Sequence, residues 1–214
     1  MWNKIFSLDN VVWQAIDTIG KIFLLNILWV ICSLPIFTMG ASTTALIYAC
    51  MKLHHKEGYV TANFFKSFKE NFKQSTIIFL IFLVIGVILG ADMILGNQAG
   101  SGFGNVMKAV ACIFAIPYIM TLSYVFGVQS RFVNTVKDTI RYSFFMAYRN
   151  MKYTIQMVIL LALLVWVNTT VLLANFLTLV YGFGLLGYIF AAYYEKSFGK
   201  YLNPPEDDKK IENE

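Results

Sequence analysis

Residues 33–45 read SLPIFTMGASTTA, and they place a proline, a glycine and five hydroxyl side chains in an otherwise apolar segment. This stretch lies within a charge-free run from Ile22 to Met51. A helix of that length would reach about 45 Å, whereas the hydrocarbon core of a bilayer is about 30 Å thick. The run is therefore long enough to span a membrane, and Pro35 predicts a kink or a break within it because it lacks a backbone donor.

The path of this first apolar run has three interpretations. It predicts one long, kinked and tilted helix, a helix followed by a re-entrant segment, or two crossings of the bilayer. Its small and hydroxyl-bearing residues either let helices approach closely and satisfy carbonyls freed by the proline, or form a surface that docks a partner or faces a solute. The residues of this helix-packing or partner surface are Pro35, Thr38, Gly40, Ala41, Ser42, Thr43 and Thr44, and the GxxxG pair Gly86 and Gly90 is included with them.

The composition indicates that lipid is the solvent for much of the chain. Of its 214 residues, 58% are hydrophobic and 14% are charged, compared with roughly 45–50% and about 25% in soluble domains. The net charge of +5 is therefore expected to mark cytoplasmic loops and not a nucleic-acid site. The three cysteines lack CxxC spacing and are expected to be free thiols. We predict a single membrane domain over residues 1–199 and a disordered cytoplasmic tail over residues 200–214.

Apolar segments along the chain predict an all-α, polytopic membrane protein with about five transmembrane helices. After the first run, Ser75–Ala91 and Ala109–Ser130 predict the second and third spans. The segment Tyr153–Tyr194 is charge-free and long enough for two further spans. Polar residues between positions 168 and 175 predict the turn between them.

Two basic stretches between these spans predict amphipathic helices at the membrane interface. Residues 52–73 and 131–152 carry aromatic and aliphatic side chains at helical spacing, with lysines and arginines on other faces. Such helices bind anionic headgroups or a partner groove. The predicted cytoplasmic basic surface consists of Lys66, Lys69, Lys73, Arg141, Arg149 and Lys152.

Two segments 80 residues apart indicate an internal repeat. Phe64–Lys69 reads FFKSFK and Phe144–Arg149 reads FFMAYR, and both lead into a predicted span. Pro35 and Pro117 lie near the same offset. The prediction is a parallel repeat over about residues 20–96 and 105–174, with an extra helix at 176–194. Chance similarity between two basic amphipathic helices is the alternative.

The charge distribution predicts the orientation in the membrane. If the two basic stretches and the C-terminal end are cytoplasmic, they hold 14 of the 17 lysines and arginines, and only Lys4, Lys21 and Lys108 remain outside. With five crossings, this places the C-terminus in the cytoplasm and the N-terminus outside. If the first apolar run crosses twice or only re-enters, the N-terminus is cytoplasmic instead.

The predicted spans contain almost no group suited to catalysis. Asp92 is the nearest ionisable residue, and it falls at a helix end, where a solvated position is expected. His54 and His55 point about 100° apart on a helix, so they converge poorly on one metal. Gly182–Gly187 reads GFGLLG, but its place deep in an apolar run predicts a small-residue helix surface and not a nucleotide loop. We therefore predict a protein that is not an enzyme and has no cofactor or metal.

The first apolar run and the basic stretch after it also carry a family motif. NILWVICSLPIFTMGASTTALIYACMKL at residues 26–53, followed by FFKSFKENFKQS at residues 64–75, resembles the YesL family, bacterial membrane proteins of unassigned function. The similarity is specific over about residues 20–80. The motif positions are Asn26, Leu28, Trp29, Cys32, Ser33, Leu34, Pro35, Thr38, Gly40, Ala41, Ser42, Thr43, Thr44, Ala45 and Leu46.

This resemblance implies a multi-pass protein of the bacterial cytoplasmic (inner) membrane. Members of the family are often encoded beside sugar-uptake transporters and saccharide-degrading enzymes. The resemblance thus implies an accessory subunit of a carbohydrate (ABC-type) import system, which binds the permease or contacts its ATPase in a bilayer with anionic headgroups. It supplies no catalytic residues. The alternatives are a stand-alone small-solute transporter and a membrane sensor or assembly factor.

Overall fold

The chain folds into a bundle of helices, and the predicted all-α class is confirmed. The structure is a computed structural model that describes residues 11–100 and 102–202. Within these ranges the chain forms helices and connecting turns without a β-strand. The elements are α1 (Val11–Cys32), a 3-10 turn (Ile36–Thr38), α2 (Met39–His54), α3 (Val60–Gln98), α4 (Phe103–Arg131), α5 (Val136–Arg149), α6 (Met151–Thr170), α7 (Leu172–Leu177), a π-helical turn (Thr178–Gly182) and α8 (Phe183–Leu202).

Six helical segments of the described chain are long and apolar enough to cross a membrane, where the sequence predicted about five spans. The additional candidate arises because the first apolar run forms two separate helices and not one kinked helix. The six segments are Trp13–Cys32, Ile36–His54, Val60–Gln98, Phe103–Arg131, Met151–Thr170 and Leu172–Gly199.

Pro35 separates α1 from α2. Its backbone is extended, with φ −74° and ψ 115°, and it has no N–H with which to continue the helical hydrogen bonds. The Thr38 hydroxyl lies 2.6 Å from the carbonyl oxygens of both Cys32 and Pro35. Thr38 can therefore donate to carbonyls that the break in the helix leaves without an N–H partner.

The first two helices form an antiparallel hairpin. Near its tip, Trp29 Nε1 donates to Thr43 Oγ1 at 3.2 Å. At its open end, Lys56 Nζ donates to Gln14 Oε1 at 3.1 Å. The start of α1 and the end of α2 therefore lie at the same end of the bundle.

This hairpin runs beside only the first half of α3. A turn at residues 55–59 leads from α2 into α3, and the other end of α2 packs through Gly40 against Ser75 and Phe79. From Phe79, α3 continues to Gln98, which is about 28 Å at 1.5 Å per residue. The tip of the hairpin therefore lies near the middle of α3, and the second half of α3 extends beyond it.

α3 is one continuous helix of 39 residues, whereas the sequence predicted a separate interfacial helix before the second span. No glycine or proline interrupts residues 60–85, so helical hydrogen bonding continues from the basic stretch into the apolar stretch. α4 packs antiparallel to α3. Gly96 and Gly104 meet near one end, and the Tyr118 hydroxyl donates to the Phe82 carbonyl at 3.0 Å further along.

The C-terminal helix packs across α1 and α2. Asn26 donates to the Leu179 carbonyl at 2.7 Å and accepts from the Gly184 N–H at 2.8 Å, so it bonds both sides of the π-helical turn. Gly184 lies against α1, and Gly187 lies against Leu46 of α2. The GFGLLG segment is therefore a helical packing surface, as predicted.

The candidate repeat units differ in structure. Pro35 lies between two helices, whereas Pro117 lies inside α4, and only the second unit has a separate amphipathic helix, α5. The parallel repeat stays a prediction. α8 ends at Leu202, three residues into the predicted tail, and residues 203–214 of that tail lie outside the described residues.

Candidate functional site

Most of the predicted packing or partner surface lies inside the bundle. α2 packs against α1, α3, α4 and α8, so its side chains face the protein's own helices. Pro35 is exposed at the hairpin tip, and Thr43 is half-buried beside Trp29. The buried members of the surface are Thr38, Gly40, Ala41, Ser42 and Thr44.

Two contacts explain why α2 begins with small residues. A Cβ added at Gly40 would meet the carbonyl oxygen of Ser75 and lie 2.6 Å from the Cβ of Phe79, so α2 and α3 are in near backbone contact there. The hydroxyls of Thr44 and Ser75 are hydrogen-bonded at 2.9 Å across the same contact. Close approach and a buried hydrogen bond are the usual means by which membrane helices associate.

The two glycines of the GxxxG pair on α3 lie in different environments. A Cβ added at Gly86 would lie 2.6 Å from the Tyr118 hydroxyl on α4. A Cβ added at Gly90 would have no neighbour within 4 Å among the described residues. Gly86 therefore faces α4, and Gly90 faces the outside of the bundle.

An apolar groove lies on the outside of α1, and no sequence pattern predicted it. The groove has a volume of about 280 Å³ and lies between α1 and the π-helical turn. At the neighbouring hairpin tip, Leu34 is 75% exposed and Ile36 is 64% exposed. The sequence gives no periodic signal for this face, because apolar residues occur on every side of α1. The groove is lined by Phe23, Ile27, Val30, Ile31, Leu179 and Val180.

This groove lies beside the junction between the charged and the apolar half of α3. α1 pairs with α2 along its length, and α2 pairs with residues 60–79 of α3. Trp29 lies beside Thr43, and the neighbouring Thr44 bonds to Ser75, so residues 23–31 of α1 run from about the level of Lys69 to the level of Ser75 and Phe79. The groove thus begins beside the exposed Lys69 and Lys73 and ends beside the first apolar residues of α3.

The six predicted basic residues lie at one end of the bundle and are all exposed. Three are on α3, two are on α5, and Lys152 is at the start of α6. Gln129, near the end of α4, donates to Asn71 Oδ1 on α3 at 2.9 Å, which brings the end of α4 and the start of α5 beside the basic half of α3.

A polar network joins α3, α4 and α5 at this end. The Thr139 hydroxyl donates to Gln129 Oε1 at 3.3 Å, and Gln74 donates to the Asn134 carbonyl at 2.7 Å. The network borders a cavity of about 510 Å³. The side-chain amides of Gln74 and Gln129 donate to Asn134 and Asn71. The cavity is also lined by Tyr48, Glu70, Ser130 and Arg131.

The two adjacent histidines diverge, as the helical spacing predicted. The His54 ring stacks on the Tyr188 ring with centroids 4.1 Å apart, and its Nε2 lies 3.0 Å from the Tyr188 carbonyl oxygen. His55 Nε2 instead lies 3.0 Å from Glu195 Oε1. Across residues 11–100 and 102–202, no group of three or more His, Cys, Asp or Glu side chains is placed to hold a metal ion.

An ion pair closes the turn between α2 and α3. Lys52 Nζ lies 2.5 Å from Glu57 Oε2. This hydrogen bond and the positive charge of Lys52 lower the pKa of the Glu57 carboxyl. Gly58 follows with φ +65°, a left-handed conformation that glycine adopts without strain.

Comparison with known proteins finds a family match within α1–α3. The family described as a protein of unknown function, DUF624, matches residues 22–93. The chain is 29% identical over 139 residues to the uncharacterized protein YesL of Bacillus subtilis (strain 168), a match that covers 62% of this chain. The chain spans 65% of that relative's length, slightly less than two thirds. No solved structure matches the chain.

These matches support membership of the YesL family, as the motif at residues 26–53 predicted. The chain is thus YesL-like, and the family that matches residues 22–93 is one of unknown function. Its several apolar helices indicate a multi-pass protein, which is consistent with a bacterial inner membrane.

Proposed function

We propose that this chain is a non-enzymatic accessory subunit of a carbohydrate (ABC-type) import system and that it binds the permease within the bacterial membrane. The observation that carries the accessory role is the exposed apolar face of α1, with the groove between Phe23 and Val180. The carbohydrate assignment rests on the resemblance to the YesL family, whose members are often encoded beside sugar-uptake transporters.

Position favours a protein as the partner of this face. The α1 groove begins level with Lys69 and Lys73, and charged side chains avoid the hydrocarbon core. Beyond those lysines, the apolar half of α3 is long enough to cross the core alone. The groove thus extends from the headgroup region to the edge of the core, and lipid tails would cover only its inner end. Contiguous exposed apolar surface of this kind marks an interaction site.

The buried polar groups described above support a structural role over a catalytic one. Thr44 bonds to Ser75 between α2 and α3, and Asn26 bonds to backbone groups at the start of α8. Each of these groups holds one helix against another through a hydrogen bond. A subunit that acts by lateral binding requires such rigid helix contacts and no reactive group.

We further propose that both termini face the cytoplasm. An outside N-terminus requires a single crossing of the first apolar run. The antiparallel α1–α2 hairpin returns the chain to the side on which it starts, because Gln14 and Lys56 meet at the same end of the bundle as the basic residues. Its tip lies near the middle of α3, which favours a re-entrant path over two crossings. Positively charged ends face the cytoplasm. The basic residues would there attract anionic headgroups, at about 1 kcal/mol each, or contact the importer's ATPase.

Co-purification tests the accessory role. The full chain, tagged at its C-terminus, is solubilised from native membranes in a mild detergent, and the proteins that remain bound are identified. Stoichiometric recovery of a sugar-importer permease with its ATPase is the expected result. Recovery of this chain alone, as a monomer or homodimer, would contradict the proposal.

The polar cavity beside Gln129 favours one other function, a stand-alone transporter of small solutes. Its volume of about 510 Å³ and its amide, carboxylate and guanidinium lining could hold a polar molecule. Against this function, its amides are already hydrogen-bonded within the protein. Solute uptake into vesicles that contain only the purified chain would favour the transporter.

A further inference from the structure

α5 presents two chemically different faces. One row of residues spaced four apart is buried against the bundle. A second row at the same spacing is exposed and combines two arginines with an aromatic ring. The buried row is Thr139, Ser143 and Ala147. The exposed row is Arg141, Phe145 and Arg149.

A cavity of about 770 Å³ lies between this exposed row and the end of α4. Val128 and Phe132 contribute apolar lining from the α4 side, and Phe145 contributes it from α5. Arg141 and Arg149 line the same cavity, about 12 Å apart along the helix axis. The guanidinium carbon of Arg141 lies 5.8 Å from the centroid of the Phe145 ring. One cavity thus combines an apolar lining with two cationic side chains.

The position of α5 places this cavity at the boundary between lipid and water. α5 connects the end of α4 to the start of α6, and both of these helices are candidate spans. The end of α4 is also tied to Asn71, two residues from Lys73 on α3. Helices that join spans at the level of exposed basic residues lie among the lipid headgroups.

The local charges favour an anionic ligand. Asp138 is the only acidic residue of α5, and it binds the Thr135 hydroxyl at 2.6 Å at the start of the helix. Among the described residues that line the cavity, none carries a carboxylate. Guanidinium groups match the oxygens of a phosphate with paired, charge-assisted hydrogen bonds.

We propose that this cavity is a binding site for an anionic phospholipid. Its phosphate group binds Arg141 and Arg149, and an acyl chain packs against Phe132, Phe145 and Met146. The volume falls within the roughly 300–1,000 Å³ of ligand pockets in proteins. Inorganic phosphate would leave the apolar lining uncovered, so the geometry points to a lipid. This site does not depend on the accessory role proposed above.

Native mass spectrometry of the full chain tests the site. The delipidated protein is titrated with phosphatidylglycerol or with phosphatidylcholine of the same acyl chains. The wild-type protein is expected to retain phosphatidylglycerol preferentially. The double variant Arg141→Gln/Arg149→Gln is expected to lower its phosphatidylglycerol affinity about tenfold or more, because charge-assisted hydrogen bonds are lost, and to leave phosphatidylcholine binding unchanged.

The matched control is Lys137→Gln/Lys196→Gln, which removes the same charge from exposed residues that neither line the cavity nor belong to the basic surface. It is expected to keep the phosphatidylglycerol preference. Any of three results would overturn the proposal. The wild type could bind both lipids equally, the arginine variant could keep the phosphatidylglycerol preference, or the lysine control could lose that preference to the same extent as the arginine variant.

A second measurement needs no variant. Photoactivatable phosphatidylglycerol, incorporated into vesicles with the wild-type chain, is expected to cross-link within residues 128–149. Cross-links spread evenly over the spanning helices would show lipid contact without a site and would also overturn the proposal.

Discussion

At the residue scale, Gly40 lets the backbone of α2 lie against the backbone of α3. In a Gly40→Ala variant the new methyl group would meet the Ser75 carbonyl and lie 2.6 Å from the Cβ of Phe79. Backbone cannot move aside as a side-chain end can, so we expect a loss of about 1–3 kcal/mol in the free energy of unfolding. Thermal unfolding of the purified protein in detergent measures this loss.

Gly90→Ala is the matched control, because it makes the same change on a helix where no atom lies within 4 Å of the new methyl group. Replacing a helical glycine by alanine there should leave stability unchanged or raise it by up to about 1 kcal/mol. Equal destabilisation by the two variants would show that the close contact at Gly40 does not determine stability.

Asn26 is the second residue on which helix packing depends. In Asn26→Leu the Leu179 carbonyl and the Gly184 N–H both lose their partner. Each buried group left unpaired costs about 1–3 kcal/mol, so we expect a clear fall in the unfolding temperature. Asn97→Leu, at an exposed position on α3, should change it little. No difference between these variants would contradict the role given to Asn26.

Some of this residue-level detail could be predicted from the sequence, and some could not. Pro35 has a local effect, the loss of one backbone donor, so the sequence predicts a kink or break there directly. The role of Asn26 depends on the π-helical turn, which lies more than 150 residues away along the chain. No local pattern predicts that such a turn forms or which amide bonds to it.

At the element scale, the depth of the α1–α2 hairpin decides the topology. Its tip lies level with Phe79, and α3 continues well beyond it. Leu34→Cys, made after alanine replaces the three native cysteines, is expected to resist a membrane-impermeant maleimide from either side, since Leu34 would lie within the bilayer. Labelling in intact and in permeabilised cells measures this.

Two further positions calibrate the labelling experiment. Asn97→Cys, near the far end of α3, should react in intact cells. Tyr59, which is 84% exposed in the turn between α2 and α3, should react as cysteine only after permeabilisation. If Leu34→Cys instead behaves like Asn97→Cys, α1 and α2 cross the bilayer completely and the hairpin is not re-entrant.

The elements themselves were largely predictable, because charge-free runs and proline positions mark spans and breaks. The continuity of α3 was not, since the alternation of phenylalanine and lysine at residues 64–73 resembles a separate interfacial helix. Helix continuity depends on the backbone, and the junction at residues 73–76 contains no residue that ends a helix.

At the scale of the whole molecule, the main new information is which helix segments lie level with one another in the bundle. The sequence predicts how long each helix is, but it does not predict which segments lie beside one another. Only the pairing of Gly40 with Ser75, and of Trp29 with Thr43, brings the apolar α1 groove beside the junction between the lysines and the apolar half of α3. Because of this position, the exposed apolar face of α1 is a candidate interface.

Site-specific photo-cross-linking tests this interface most directly. A photoreactive amino acid is placed at Ile31, in the α1 groove, or at Val87, on the spanning half of α3, and native membranes are irradiated. Both side chains are exposed, at 57% and 63%. We predict that Ile31 cross-links to a sugar-importer permease and that Val87 gives no protein adduct. Protein adducts absent from Ile31, or equally abundant at both positions, would contradict the accessory role.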